Sequence, residues 1–241
     1  MVVTTQEVDI AVPGTDKPMR MLVNAPKARA EEHPGILMYS DIFQLTGPQR
    51  RMSQRLAGYG FVVATPEIYH RIEPAGTAIP FTDDGRTRGL EDARKTTVAD
   101  FDASARAALD WLKTRSSALG AMGFCIGGHL AFRAALQPDV RATVCFYPTG
   151  VHDGKLGADA DAGTLARAKQ IAGELLLVFG TRDPHVPEEA RAKIAAAVKA
   201  TIRFYDAEHA FMRDEGPRYD AEATDAAFAE AVAFLRTAMD R

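Results

Sequence analysis

The sequence predicts an α/β fold in which helices flank a mainly parallel central sheet. Two observations carry this prediction: short apolar runs alternate with helix-forming segments along the chain, and most of these runs are apolar at every position. Continuously apolar runs are typical of strands buried on both faces of a parallel sheet. Their alternation with helices favours one layered α/β unit. We therefore expect residues 1–241 to form a single domain.

The first two predicted strands differ from the rest because their residues alternate in polarity. A turn-forming segment, residues 13–16, joins them. The later strands are short apolar runs bounded by turn-forming or polar residues. In chain order, strands are expected at residues 6–12, 19–25, 35–39, 60–64, 119–124, 142–147, 174–179 and 201–205.

Helices are predicted between these strands from apolar residues at helical spacing. The longest is expected over residues 90–115, with an apolar stripe formed by Val98, Phe101, Ala105, Ala108, Leu109 and Leu112. The last helix presents one apolar face, formed by Phe228, Val232, Leu235 and Met239. Shorter helical segments are expected at residues 49–58, 126–136, 164–172 and 188–199. Residues 67–88 show no period, and a loop of this length in a compact domain is typically functional.

Composition and charge exclude several classes of protein. The net charge is −3 with no long basic block, so we expect no nucleic-acid partner. No apolar run approaches the roughly 20 residues that a membrane span requires, and the first residues lack the pattern of a signal peptide. The two cysteines form no disulfide framework. We therefore expect a cytoplasmic protein, either a monomer or a small homo-oligomer, with two free thiols.

The most informative segment is Gly123-Phe124-Cys125-Ile126-Gly127-Gly128, between a predicted strand and a predicted helix. Its G-x-nucleophile-x-G form is that of a nucleophile elbow, with a thiol as the nucleophile. A nucleophile on such a sharp turn needs strained backbone and small neighbours. Backbone N–H groups and the start of the helix would then stabilise a developing oxyanion. The alternative is a glycine-rich turn that holds a buried, inert cysteine.

Three catalytic residue types follow predicted strands in the chain order of an α/β-hydrolase triad: nucleophile, acid, histidine. Cys125 would attack as a thiolate, His209 would move the proton, and Asp183 would orient His209. Open parallel sheets place their active sites at the carboxyl ends of strands, where these residues lie. Taken singly, Asp183 is also typical of a turn before proline, and His209 of a surface loop.

The remaining histidines and the second cysteine carry weaker signals. No pair of histidines shows metal-ligand spacing, so we expect no metal and no other cofactor. Cys145 lies within an apolar strand, which indicates a small core residue. A redox pairing of Cys125 with Cys145 is disfavoured because there is no C-x-x-C motif and Cys145 lies in mid-strand. The other histidines are His33, His70, His129, His152 and His185.

With these motifs, the chain resembles the dienelactone hydrolase family, a cysteine-dependent branch of the α/β-hydrolases. The matching segments are residues 123–128, 180–184, 209–211, 41–43 and 65–69. The resemblance implies an α/β-hydrolase fold and hydrolysis of a small ester or lactone, as in a carboxymethylenebutenolidase, through an acyl-thioester on Cys125. A non-catalytic, small-molecule-binding protein of the same fold is the alternative.

The resemblance also implies roles for residues around the triad. The backbone N–H groups of Ile42 and Ile126 would form the oxyanion hole. Arg213, with Arg86 or Arg88 from the long loop, would bind a substrate carboxylate, a task that suits the planar guanidinium. The family often has a glutamate that helps to activate the thiol, and this chain has Asp41 there, one methylene shorter. Asp41 is otherwise typical of a turn cap, and Arg213 of a solvated surface charge.

Overall fold

The computed structural model describes residues 1–28 and 30–240, and the strands of this part of the chain form one eight-stranded sheet. Its strand order is β1-β2-β4-β3-β5-β6-β7-β8. β1 and β2 are antiparallel and β2 is antiparallel to β4, whereas the other neighbours are parallel. The prediction of a mainly parallel sheet is therefore confirmed. The strands are β1 Val3–Ile10, β2 Met19–Pro26, β3 Gly35–Tyr39, β4 Val62–Pro66, β5 Leu119–Phe124, β6 Val140–Phe146, β7 Glu174–Gly180 and β8 Thr201–Tyr205.

Helices cover both faces of the sheet. They are α1 Gly47–Ala57, α2 Asp83–Lys95, α3 Val98–Lys113, α4 Ile126–Ala134, α5 Glu188–Ala197 and α6 Ala221–Met239. α3 and α4 pack in one apolar cluster with alternate strand residues such as Cys145. α1 and α6 pack in a second cluster with the intervening residues, such as Val144 and Phe146. Because successive side chains of a strand point to opposite faces, each buried strand contributes to both cores. No helix of the described residues is long and apolar enough to cross a membrane.

The predicted apolar faces of the two long helices are confirmed. On α6, all four predicted residues are buried, with Phe228 and Leu235 fully inaccessible. On α3, the stripe from Phe101 to Leu112 is buried as well, and Val98 packs against its edge. A spacing of three and four residues places side chains on one helix face, so this part of the packing follows directly from the sequence.

The helix predicted over residues 90–115 is wrong, because two helices occupy this region and the first begins earlier. Thr82 starts α2 by accepting a hydrogen bond from the Gly85 N–H, so residues 83–88 are helical and not part of a loop. Thr96 is extended, and the Thr97 side chain then caps α3 by accepting from the Asp100 N–H. The capping threonines were a sequence signal for both boundaries.

Three smaller differences in the predicted elements have local causes. β1 begins at Val3 because its exposed residues pair with β2 along the whole strand. β4 begins two residues later than predicted, since Gly60 has a φ of +96°, which a strand does not accommodate. The segment predicted as a helix over residues 164–172 is a 3₁₀ helix at Leu165–Gln170.

Loss of the α3 cap should be measurable as a loss of stability. Thr97→Ala is expected to lower the free energy of unfolding by about 1 kcal/mol, because it removes the acceptor for the Asp100 N–H. Urea denaturation of the two proteins measures the difference. Thr87→Ala is the matched control, since the Thr87 hydroxyl donates only to the Asp83 carbonyl one turn back on the exposed face of α2. Equal effects of the two substitutions would contradict the cap.

Candidate active site

The carboxyl ends of the parallel strands meet around a cavity of about 470 Å³. β3 leads into Asp41 and Ile42, β5 into Cys125, and β8 into the loop with His209. All four of these residues line the cavity. The structure therefore brings together residues that lie up to 168 positions apart in the sequence. This arrangement follows from the shared direction of the strands.

Cys125 lies on the sharp turn between β5 and α4, where its backbone has a φ of +59° and a ψ of −122°. Such a conformation is costly for a residue that has a side chain. The neighbouring glycines make the turn possible by close approach. A Cβ at Gly123 would lie 1.9 Å from the Gly127 carbonyl oxygen, and one at Gly127 would lie 2.2 Å from the Ser40 oxygen. Larger residues at these two positions are therefore incompatible with the turn.

Behind the cavity, Asp183 and His209 form a buried pair. Asp183 Oδ2 lies 2.7 Å from His209 Nδ1, and Asp183 Oδ1 accepts a hydrogen bond of 2.8 Å from the His185 backbone N–H. Burial alone would raise the pKa of Asp183, but these partners outweigh it and lower the pKa below its usual value. Asp183 is therefore a carboxylate that orients the ring with Nδ1 protonated and leaves Nε2 for chemistry.

His209 is more basic than an ordinary histidine. Burial lowers the pKa of the ring, but the Cys125 sulfur and the Asp183 carboxylate raise it more strongly, to about 9. A basic ring thus lies next to Cys125, and a base beside a thiol is what general-base activation of a nucleophile requires.

Two aromatic rings that the sequence analysis did not assign pack against His209. The Tyr147 and His185 rings meet it edge to face, with centroids 5.0 and 4.7 Å away. Tyr147 follows β6 with a φ of +38°, which is rare for a residue with a side chain. Its place at the end of a predicted apolar strand was the available signal, since the ends of the neighbouring strands also carry candidate site residues.

The two residues expected to supply an oxyanion hole both line the cavity. Ile126 is the first residue of α4, where a backbone N–H has no acceptor within the helix. Ile42 lies in the turn after β3. Among the backbone hydrogen bonds of the described residues, neither N–H has an acceptor. Both groups are therefore available to bind a developing negative charge.

Asp41 is held at the cavity wall by two partners. One carboxylate oxygen accepts from the Phe43 N–H at 2.9 Å, and the other lies 3.2 Å from Arg213 Nη1. The first contact is the turn cap expected as the alternative role of this residue. Burial raises the pKa of Asp41 above its usual value, although Arg213 opposes this effect. Asp41 is thus a comparatively basic carboxylate in the cavity.

Arg213 is not a solvated surface charge. Only 17 % of its side chain is exposed, and its guanidinium lies 5.1 and 4.5 Å from the ring centroids of Phe43 and Phe81. These cation–π contacts and the Asp41 ion pair hold the guanidinium in one orientation at the cavity wall.

Of the two upstream arginines, the structure brings only Arg86 to the cavity. Arg86 lines it from α2, and no described carboxylate pairs with its guanidinium. Arg88 does not line the cavity, because α2 turns it towards the buried Glu73 carboxylate, which it binds with contacts of 2.6 and 2.5 Å. Of the two alternatives given by the sequence, Arg86 is therefore the arginine that lies at the candidate site. Further cavity-lining cations that the sequence analysis did not single out are Arg94, Lys155 and Arg218.

The remaining predicted features lie outside the cavity. Cys145 is fully buried in β6, and burial raises the pKa of its thiol well above the usual value, which agrees with a core residue. Both cysteines are free thiols. No group of three or more histidine, cysteine or acidic side chains in the described residues is placed to hold a metal ion.

The sequence of this chain is similar to those of one known protein family. Residues 19–239 match the model of the "Dienelactone hydrolase family". A "Putative carboxymethylenebutenolidase" of Saccharomyces cerevisiae is 36% identical over 224 residues, which cover 86% of this chain and 82% of the relative. The "Carboxymethylenebutenolidase" of Pseudomonas sp. (strain P51) is 27% identical over 84% of both chains.

Solved structures show the same fold. The crystal structure described as a "Putative Dienelactone Hydrolase" from Klebsiella pneumoniae aligns with a TM-score of 0.82 at 22% identity and covers 97% of this chain and 98% of that chain. Together with the family match, this likeness confirms the α/β-hydrolase fold expected from the sequence.

The charge of the Cys125 sulfur should be visible in the titration of His209. Cys125→Ser is expected to lower the pKa of His209 from about 9 towards the ordinary 6.5, because it removes the negative charge beside the ring. In the wild type, His209 then stabilises the folded state fully below about pH 6.5, and this contribution is lost as the pH rises through about 9. NMR of the ring protons from pH 5 to pH 10.5 measures the midpoint. Cys145→Ala should leave it in place, and equal midpoints in wild type and Cys125→Ser would refute the interaction.

Proposed function

The chain belongs to the dienelactone hydrolase family, and from this membership we propose that it hydrolyses a small carboxylic ester or lactone through a Cys125–His209–Asp183 triad. The observation that carries the proposal is the buried Asp183–His209 pair, whose ring lines the same cavity as a cysteine on a strained elbow. An inert structural cysteine would need neither the basic histidine nor the positive φ.

Acylation starts from the thiolate of Cys125 and the imidazolium of His209. The sulfur attacks the carbonyl carbon, a C–S bond forms, and the carbonyl electrons move to an oxyanion bound by the Ile42 and Ile126 N–H groups. His209 then gives its Nε2 proton to the alkoxide as the C–O bond breaks. With an ester the alcohol departs, and with a lactone it stays attached to the acyl-thioester.

Deacylation uses the same groups in reverse. His209, now neutral, removes a proton from water, and the resulting hydroxide attacks the thioester carbonyl. The C–S bond breaks, the thiolate–imidazolium pair is restored, and the product leaves as a carboxylic acid that loses its proton to solvent. Asp183 stabilises the imidazolium each time it forms, since its carboxylate remains ionised behind the ring.

The charges of the cavity favour a substrate that carries a carboxylate. Arg86 lines the cavity and has no described ion-pair partner, so its charge is available to a ligand. Arg213 is held in place by two aromatic rings, and its only described ion pair is with Asp41. A substrate carboxylate that binds Arg213 would compete with Asp41. The freed Asp41, whose pKa burial raises, would then be a second base for any Cys125 thiol that has not already given its proton to His209.

We also propose that the protein acts in the cytoplasm. Two free thiols, one of them the nucleophile, suit the reducing cytoplasm, where they stay unoxidised. The reaction as written needs no metal, no other cofactor and no macromolecular partner. A monomer or a small homo-oligomer remains our prediction for the assembly.

Removal of the thiol tests the nucleophile. Cys125→Ala is expected to lower kcat/KM for p-nitrophenyl acetate and for a dienelactone by about three orders of magnitude or more, because the acyl-enzyme no longer forms. Cys145→Ala is the control, since this thiol is buried in β6 away from the cavity. Full activity of Cys125→Ala would exclude the mechanism, whereas an inactive wild type would favour the non-catalytic binding protein.

Removal of the Arg86 charge tests the substrate class. Arg86→Gln is expected to lower kcat/KM about 10- to 100-fold for the mono-p-nitrophenyl ester of glutaric acid, because a charge-assisted hydrogen bond contributes about 1.5–3 kcal/mol. Uncharged p-nitrophenyl acetate should be hydrolysed as before. Lys95→Gln, on the same helix but outside the cavity, is the charge-matched control. Equal losses on both substrates would contradict carboxylate recognition by Arg86.

A further inference from the structure

We infer that Thr149 is a further catalytic residue, whose hydroxyl donates a hydrogen bond to the Cys125 sulfur and stabilises the thiolate, and that His129 is a positioning residue that holds it there. The inference rests on the proposed function in one respect, that Cys125 is the nucleophile. It concerns the state of the thiol before any substrate binds, so it can be tested without turnover.

Thr149 lies beside Cys125 and is tied to it by its backbone. Its N–H donates to the Cys125 carbonyl oxygen at 3.3 Å, and its Oγ1 lies 4.0 Å from the Cys125 sulfur. Thr149 also lines the cavity. The separation of oxygen and sulfur is at the outer limit for a hydrogen bond, and a charged sulfur attracts an O–H donor more strongly than a neutral thiol does. The hydroxyl can thus donate to the sulfur when it is ionised.

His129 fixes the loop that carries Thr149. It lies one turn after Cys125 on α4, is fully buried, and places Nδ1 2.9 Å from the Thr149 carbonyl oxygen. A carbonyl oxygen can only accept, so Nδ1 carries the proton. Burial lowers the pKa of His129 to about 3, which keeps the ring neutral. Its Nε2 must therefore accept a hydrogen bond, and the Thr164 hydroxyl lies 2.8 Å away.

Arg133 determines which groups donate and which accept in this series of hydrogen bonds. The guanidinium donates to Thr164 Oγ1 at 2.8 Å and can accept nothing in return. The Thr164 proton is therefore left for His129. Arg133 is itself held by two bonds to the Asp102 carboxylate, of 2.9 and 2.6 Å, and by one to the Ala162 carbonyl oxygen.

The network reaches the nucleophile and satisfies each of its buried polar groups. It runs from Arg133 through Thr164 and His129 to the carbonyl of Thr149, whose hydroxyl faces the sulfur. A buried histidine in the middle of a helix is costly unless both ring nitrogens are bonded. An apolar side chain at position 129 would fill the same space without needing hydrogen bonds. The cost of burying the His129 ring is explained if the network orients the Thr149 hydroxyl towards the thiol.

The experiment measures how fast iodoacetamide alkylates Cys125 as a function of pH, with the modified peptide identified by mass spectrometry. The pH midpoint reports the stability of the thiolate, and the plateau at high pH reports access to the cavity. Thr149→Val, which removes the hydroxyl at nearly constant volume, is expected to shift the midpoint upward by about one pH unit and to slow alkylation at low pH about tenfold. Thr149→Ser keeps the hydroxyl and should keep the wild-type midpoint. A profile of Thr149→Val that superimposes on the wild type would overturn the inference.

The role of His129 is tested in the same assay. His129→Leu is expected to shift the midpoint in the same direction, and it should add little in a Thr149→Val background, because both changes act on one hydrogen bond. A purely structural role would lower stability and leave the midpoint unmoved. If His129→Leu fails to fold, the two Thr149 variants still decide the main claim. An active enzyme whose midpoint is insensitive to Thr149→Val refutes this inference alone, whereas a shifted midpoint without esterase activity refutes the proposed function alone.

Discussion

Backbone segments approach each other very closely at the elbow, and the geometry of the site follows from this contact. Cys125 has a positive φ because β5 must turn directly into α4, and the turn closes only where glycines allow contact. The Gly127 Cα faces the Ser40 carbonyl so closely that no side chain fits between them. The sharp turn lifts the thiol above the sheet and places it at the start of α4. Its cost is offset by the two apolar cores that pack against the sheet on either side.

The chemistry of the site depends on charges that are kept out of water. Asp183 is buried, yet it stays ionised because His209 and the His185 N–H share its charge. His209 is raised to a pKa of about 9 by that carboxylate and by the Cys125 sulfur. The charge of Asp183, of His209 or of Cys125 is stable in this buried site only because an oppositely charged neighbour is present. Such mutual dependence is typical of a buried polar network. The rings of Tyr147 and His185 pack edge to face against the central imidazole.

The helix α2 decides which charges a ligand meets. It begins at its Thr82 cap and so includes residues that lack an apolar period. Arg86 and Arg88 are two positions apart and therefore point to different sides of this helix. One lines the cavity, and the other binds the buried Glu73. Which of the two arginines faces the cavity depends on where α2 starts. The spacing of Arg86 and Arg88 in the sequence does not reveal that start.

The residues are enough to predict the features that arise from local periodicity and local sterics: the strand–helix alternation, the buried faces of α3 and α6, the glycine-bounded cysteine and the chain order of Cys125, Asp183 and His209. The pairing of Asp41 with Arg213 and the network that leads from Arg133 to Thr149 become visible only once the chain is folded. Asp41 and Arg213 are 172 positions apart, and the hydrogen bonds of the network join residues that are 20 to 35 positions apart. Their side chains meet because separate strands and helices converge, and no local pattern encodes that convergence. The caps at Thr82 and Thr97 are local sequence signals as well. They were missed because the apolar residues at helical spacing favoured one continuous helix over residues 90–115.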